Sequence, residues 1–187
     1  RYLFSPPHRP VAEVRVFAMD AAAFVSQVPG TYDVIIIDFP DPNTVELAKL
    51  YSYSFYRNLT AKLNRGGIIV QQSGSPFLVR ESFLCVGRTM REAGLSAVPY
   101  HHNVPTFGEW GWWIAAHGED HDESAIRGRL SAIDSLRVDT RYLTPETVRA
   151  SMVFGRSALK ATAGDINRIT NNAVFHHYMK GLDVLNK

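Results

Sequence analysis

Between Tyr32 and Pro42 the chain reads Tyr32-Asp33-Val34-Ile35-Ile36-Ile37-Asp38-Phe39-Pro40-Asp41-Pro42. Four consecutive β-branched apolar residues give no inward and outward alternation. They predict a strand buried on both faces, the kind found inside a parallel α/β sheet. Charge returns at once in Asp38 and Asp41, within a turn stiffened by Pro40 and Pro42. Open α/β sheets collect ligands beyond the carboxyl ends of their strands, which makes these two carboxylates the first candidates for chemistry.

The flanking sequence supports that class. Val14 to Met19 reads as a strand, and Asp20-Ala21 opens a helix through Phe24 and Val28 that Pro29-Gly30 closes. Strand, helix, strand is the unit of a parallel sheet. Asn43, with Glu46 three residues on, has the pattern of a capping box. It starts a helix whose stripe runs through Leu47, Leu50, Tyr51, Phe55, Leu59 and Leu63 to Gly66-Gly67. Ile68 to Val70 is a second buried strand, leaving through Gln71-Gln72-Ser73-Gly74. Ser75-Pro76 then predicts the start of a helix carrying Val79, Phe83, Val86 and Met90 and stopped by Gly94. After Leu95 two strands follow in succession, Ser96 to His102 and Trp112 to Ala116. The remainder is polar and helical, with a helix from Thr144-Pro145-Glu146 and a last apolar group of Val174, Phe175, Tyr178 and Leu182.

Composition sets limits on function. The 187 residues suffice for one domain with a core, and 45% hydrophobic with 20% charged residues is an ordinary globular balance. A net charge of +2, with scattered basic residues, gives no footprint for nucleic acid. The single Cys85 excludes an internal disulfide and sits in a helical apolar pattern, so it reads as core. No apolar run reaches the roughly 18 residues of a membrane span, and no signal peptide is visible. Residues 1–10, with three prolines, read as an irregular lead-in. The first residue is Arg1 rather than Met, so the chain reads as an excerpt.

Aromatic and histidine clusters need sorting. Trp112 and Trp113 read as core, and Trp110, between glycines, as a wall of a site. His117 to Glu123 holds two histidines four apart, but Gly118 and the acidic run read as a solvated loop rather than a metal site. His101-His102 and His176-His177 place neighbours on different faces and make poor chelators.

Three ordered motifs carry a family resemblance over residues 14–187. The strand and turn from Tyr32 to Pro42 resemble the D-x-x-D-P segment of the polyamine aminopropyltransferases, the spermidine synthases. Leu50-Tyr51-Ser52 with Phe55-Tyr56, the Gly66-Gly67 strand ending in Gln72, and Val104 to Gly111 look most like the bacterial branch fused to a membrane-spanning segment. Asp139 to Pro145, Asn167-Arg168 and Tyr178 extend the similarity. The resemblance implies an α/β fold with a partial methyltransferase-like (Rossmann-like), mainly parallel sheet, antiparallel closing strands and a helical C-terminal tail. It implies one domain over 1–187, truncated at its N-terminus, with 118–187 as a helical extension packed on it.

The family transfers the aminopropyl group of decarboxylated S-adenosylmethionine to putrescine, without a metal. An amine attacks a carbon activated by a sulfonium, so the co-substrate supplies the leaving group and the protein supplies position and charge. A free alkylamine has a pKa near that of lysine, ~10.4, and its protonated form is no nucleophile. By motif, Asp38 is the catalytic carboxylate at the attacking nitrogen. Asp41, Gln72, Tyr100, His101, Phe107 and Trp110 are the implied substrate-binding residues, the aromatics serving as walls for methylenes and ammonium groups. Asp20 and Ala21 fall where the wider class holds adenine.

The departures are specific. Phe39-Pro40 replaces the small pair between the acids, leaving substrate width open. His101 stands where the family has a tyrosine, with Tyr100 beside it, so either residue is a candidate to face the site. The glycine-rich strand-turn that cradles the co-substrate and the acid that binds its ribose are missing from the sequence. Without the strands that carry them, the edge beside Tyr32 is left open. The alternatives to aminopropyl transfer are a non-catalytic remnant acting as a binding or assembly module, and a methyltransferase-like enzyme with another acceptor. The resemblance leaves room for a homodimer and for a membrane anchor in a longer parent chain. It implies a cytoplasmic setting, at the inner membrane face if such an anchor exists.

Overall fold

The computed structural model describes residues 13–183; the lead-in expected over 1–10 lies outside them. Four strands form one mixed sheet: β1 (Tyr32–Ile37), β2 (Leu63–Gln72), β3 (Leu95–Val104) and β4 (Gly108–His117), in the order β1-β2-β4-β3. β1 and β2 are parallel, with Ile36 opposite Val70. β4 runs antiparallel to both β2 and β3, which form the closing strands expected from the sequence.

Helices α1 (Ala21–Gln27), α2 (Val45–Ala48), α3 (Tyr53–Thr60) and α4 (Arg80–Glu92) lie along the first half of the chain. The helices α5 (Glu123–Ser131), α6 (Pro145–Ser151) and α7 (Ala173–Asp183) follow the sheet. The main core forms where α3, α4 and α7 cover one sheet face, burying Tyr56, Ile69, Phe83, Met90, Trp113 and Val174. The Trp113 indole stacks on Phe83 with centroids 5.0 Å apart and donates from Nε1 to the Phe83 carbonyl at 3.0 Å. A smaller cluster of Val98, Ala116 and Ile126 seats α5 on the opposite face.

The structure corrects several sequence expectations. Val14 to Met19 forms no strand; it is irregular and exposed, with Phe17 against the edge of Phe24. β-propensity alone does not hold a strand, and this segment has no neighbour to pair with among the described residues. The sheet therefore holds one parallel pair. β1 is not buried on both faces: Val34 is 54% and Ile36 76% exposed, while Ile37 is buried. It is an edge strand with one face uncovered.

The stripe from Leu47 to Leu63 is broken into α2, a tight turn at Lys49–Tyr51 and α3, and Leu63 already belongs to β2. Ser52 causes the break by capping α3 through its hydroxyl. Thr44, not Asn43, caps α2. Ser75 accepts from the Phe77 and Leu78 amides in a turn before α4, which begins only at Arg80. Gly94, at φ +94°, ends α4 as expected.

The tail is tied to the body by Asn167. Its amide donates to the Ala48 carbonyl at 2.7 Å, its side-chain oxygen accepts from the Val174 amide at 3.2 Å, and its backbone bonds Thr89 and Tyr53. All its polar groups are used within a buried site, which fixes the start of α7 beside α4.

Candidate active site

The turn after β1 is held from below. Tyr51 is fully buried and donates its hydroxyl to the Pro40 carbonyl at 2.9 Å, with Phe39 packed edge-on against Tyr51 and Phe55. Burial, and then the charges of Asp41 and Asp38, push the Tyr51 phenol far above its ordinary range, so it stays a donor. The proline-rich turn is thus pinned at its middle.

Asp41 is bonded through both oxygens. Gln72 Nε2 donates to Oδ1 at 3.0 Å and the Tyr178 hydroxyl donates to Oδ2 at 2.9 Å. Gln72 Oε1 is buried and has no partner among the described residues. Asp38, by contrast, is exposed, and no hydrogen bond from the described residues reaches its carboxylate.

Two cavities flank the end of β1. The first, about 600 Å³, brings together Asp38, Asp41, Gln72, Tyr100, Phe107 and Trp110, with no basic side chain among the described residues of its lining. Tyr100 and Trp112 form a stacked wall, centroids 5.4 Å apart and 13° between planes, and burial raises the Tyr100 phenol to about 12. Phe107 and Trp110 pack at 5.3 Å, with Phe107 exposed near the mouth. The second cavity, about 540 Å³, is mostly apolar and includes Ala21, Phe24, Ile35 and Phe55, with Lys62 on its lining. Both cavities share Ile36, Ile37, Asp38 and Phe39.

Of the residues named from sequence, His101 is not brought to the first cavity. Strand alternation turns it to the other face, where its ring nitrogens meet Glu109 Oε2 at 2.7 Å and the Val153 carbonyl at 2.9 Å. Tyr100 faces the cavity instead. Asp20 caps α1, accepting from the Ala23 amide at 2.9 Å through one oxygen, while Ala21 lines the second cavity. Trp112, expected in the core, lines the first cavity; only Trp113 is core.

Tyr51 and Tyr178 were not singled out by sequence reasoning as parts of the site. Both sit in apolar helical patterns, which carry no sign of a hydroxyl aimed at a loop. Tyr178 reaches Asp41 across 137 positions of chain.

The acidic stretch at His117 to Glu123 is less loose than expected, because Asp120 accepts from the Gly66 amide at 2.9 Å and from Arg65. Among the described residues Cys85, Asp165 and His177 gather ligand-type atoms within 4.8 Å. Arg88 occupies that cluster, donating to the Asp165 carbonyl at 2.9 Å, and His177 is bonded to the carboxylate. It is a charge-paired tether. Among the described residues no helix is long and apolar enough to cross a membrane.

Comparison with known proteins follows the same outline. The chain is 33% identical over 178 residues to polyamine aminopropyltransferase 2 of Ralstonia nicotianae, covering 95% of this chain and 32% of that protein. It is 36% identical over 151 residues to the polyamine aminopropyltransferase of Shewanella oneidensis, covering 80% of this chain and 25% of that protein. The chain thus spans a quarter to a third of the length of these relatives. Its fold is similar to the crystal structure of spermidine synthase from Thermotoga maritima, with a TM-score of 0.56 at 20% identity, over 75% of this chain and 47% of that one. Residues 10–125 match the spermine/spermidine synthase domain, and with more than half of its length in that match the chain belongs to this family.

Proposed function

We propose that this chain carries the amine-binding and amine-activating part of an aminopropyl transfer from decarboxylated S-adenosylmethionine to putrescine or a related diamine. The observation that carries the reading is Asp38, which stands in the lining of both an acidic, aromatic-walled cavity and an apolar one. The first suits a flexible dication: two carboxylates for its charged ends and aromatic faces for its methylenes and ammonium groups. The second suits a nucleoside base against Phe24 and Ala21.

Asp38 has no competing donor among the described residues and is free to bond the attacking amine. A carboxylate there accepts an N–H, aims the nitrogen lone pair along the sulfonium axis, and receives the proton as the C–N bond forms and the C–S bond breaks. The sulfonium leaves as neutral methylthioadenosine, so charge is conserved. Decarboxylated S-adenosylmethionine supplies the activated carbon when bound. The sequence holds neither the glycine-rich strand-turn that cradles the co-substrate in the family nor the acid that binds its ribose, and the residues present supply an amine pocket and a base-binding wall.

Calorimetric titration with putrescine tests the reading. The chain is expected to bind the diamine, and Asp38→Asn to weaken binding by on the order of tenfold, the scale of one charge-assisted hydrogen bond. Its melting temperature should hold, because Asp38 is exposed. No binding by the unaltered chain, or unchanged affinity in the variant, would contradict it.

A further inference from the structure

Asp41 differs from Asp38 in accepting a hydrogen bond on each oxygen before any ligand arrives. An ionised carboxylate only accepts hydrogen bonds, so the Gln72 amide must present its NH₂ group to Asp41 and turn its oxygen away. That oxygen is buried without a partner among the described residues, in a residue that is itself 92% buried (8% exposed) and lines the acidic cavity. A buried orphan acceptor costs free energy unless a donor meets it. An ammonium or amine N–H is such a donor.

The other side of Asp41 is set by the last helix. Tyr178 lies outside the cavity lining and touches Asp41 from α7. α7 is seated by Asn167 and by Ser82, whose hydroxyl donates to the Val174 carbonyl at 3.1 Å. Burial first, then the Asp41 charge and the hydrogen bond itself, raise the Tyr178 phenol to about 12, so it donates throughout the neutral range.

We propose that Tyr178 is a positioning residue for the amine site: its hydroxyl locks the Asp41 carboxylate in the rotamer that orients Gln72, and this relay sets the preference for a diamine over a monoamine. The inference rests on the amine-site reading above. Asp41 then acts on the substrate both as a fixed charge and through the Gln72 oxygen, and the helical tail becomes part of the specificity apparatus.

The test is the affinity ratio for 1,4-diaminobutane against 1-aminobutane, measured by calorimetry on the full chain. Tyr178→Phe keeps the ring and is expected to lower the ratio by about tenfold, the scale of a hydrogen bond to a charged group, with monoamine affinity unchanged. A merely structural role would weaken both ligands alike. In an Asp41→Asn background, Tyr178→Phe should change the ratio no further, because the relay is already cut. An unchanged ratio in Tyr178→Phe, or an equal loss in the Asp41→Asn background, overturns the relay while leaving the diamine site intact. Should the phenylalanine variant melt early, Asp41→Asn removes the charge and the relay together and is expected to lower the ratio further, and a full diamine preference in it overturns the proposal. Absence of diamine binding by the unaltered chain overturns both the relay and the reading beneath it.

Discussion

At Gly87 the chain has no room for a methyl group. A Cβ there would lie inside the van der Waals envelope of the Trp113 six-membered ring, which passes directly over α4. The glycine is needed for close approach, since its helical backbone asks for no special conformation. Gly87→Ala should therefore destabilise the fold by about 1–3 kcal/mol, the usual cost of overpacking, despite the better helix propensity of alanine. Urea denaturation measures this directly, and a change within about 0.5 kcal/mol, ordinary for a surface site, would mean that the indole can yield. The same indole stacks on Phe83, which packs against the strand bearing Gly111. Close packing at one residue thus sets the height of β4, and with it the position of Trp112 and Trp110 in the cavity wall.

The helical tail attaches to α4 through charge as well as packing. Glu81 accepts from the Thr162 amide at 2.8 Å, from the Thr162 hydroxyl at 3.0 Å and from the Ala163 amide. Burial alone would raise its pKa, but these bonds and Arg88 together hold it below its usual 4.5. Asp165 is likewise lowered: burial opposes, and His177 and Arg88 outweigh it. A depressed carboxylate contributes stability above its unfolded pKa and loses it as pH falls through the folded value. The segment around Thr162 to Asn167 should therefore open at acid pH before the sheet does. Hydrogen exchange across pH 6 to below the usual 4.5 of Glu81 is expected to show that order, and Glu81→Gln to weaken the protection already at neutral pH. Simultaneous opening of tail and sheet would show that packing at Asn167 and Val174 holds the tail without the charges. Since α7 carries Tyr178, release of this segment also removes the Asp41 clamp.

Across the whole molecule, what could be read in the sequence was what local chemistry decides. The antiparallel pair around Pro105 to Gly111, the stop at Gly94, the helix start at Thr144-Pro145-Glu146 and the acidic turn after Ile37 all follow from turn formers, helix-start signals and charge. Failures came where a neighbour decides. Val14 to Met19 has strand composition but finds no strand to pair with among the described residues, and the run Val34 to Ile37 is apolar on both sides although only one side is covered. His101 and Tyr100 could not be told apart until register assigned their faces. Tyr178 could not be joined to Asp41 by any local pattern. What emerges is a sheet whose parallel edge carries two cavities meeting at Asp38. The most direct test is amide chemical-shift mapping with putrescine and, separately, with methylthioadenosine. Putrescine should move Asp41, Gln72, Tyr100 and Trp110, methylthioadenosine should move Ala21, Phe24 and Phe55, and the two sets should meet at Asp38. Two ligands shifting one common set of residues, or sets that do not meet at Asp38, would contradict the arrangement.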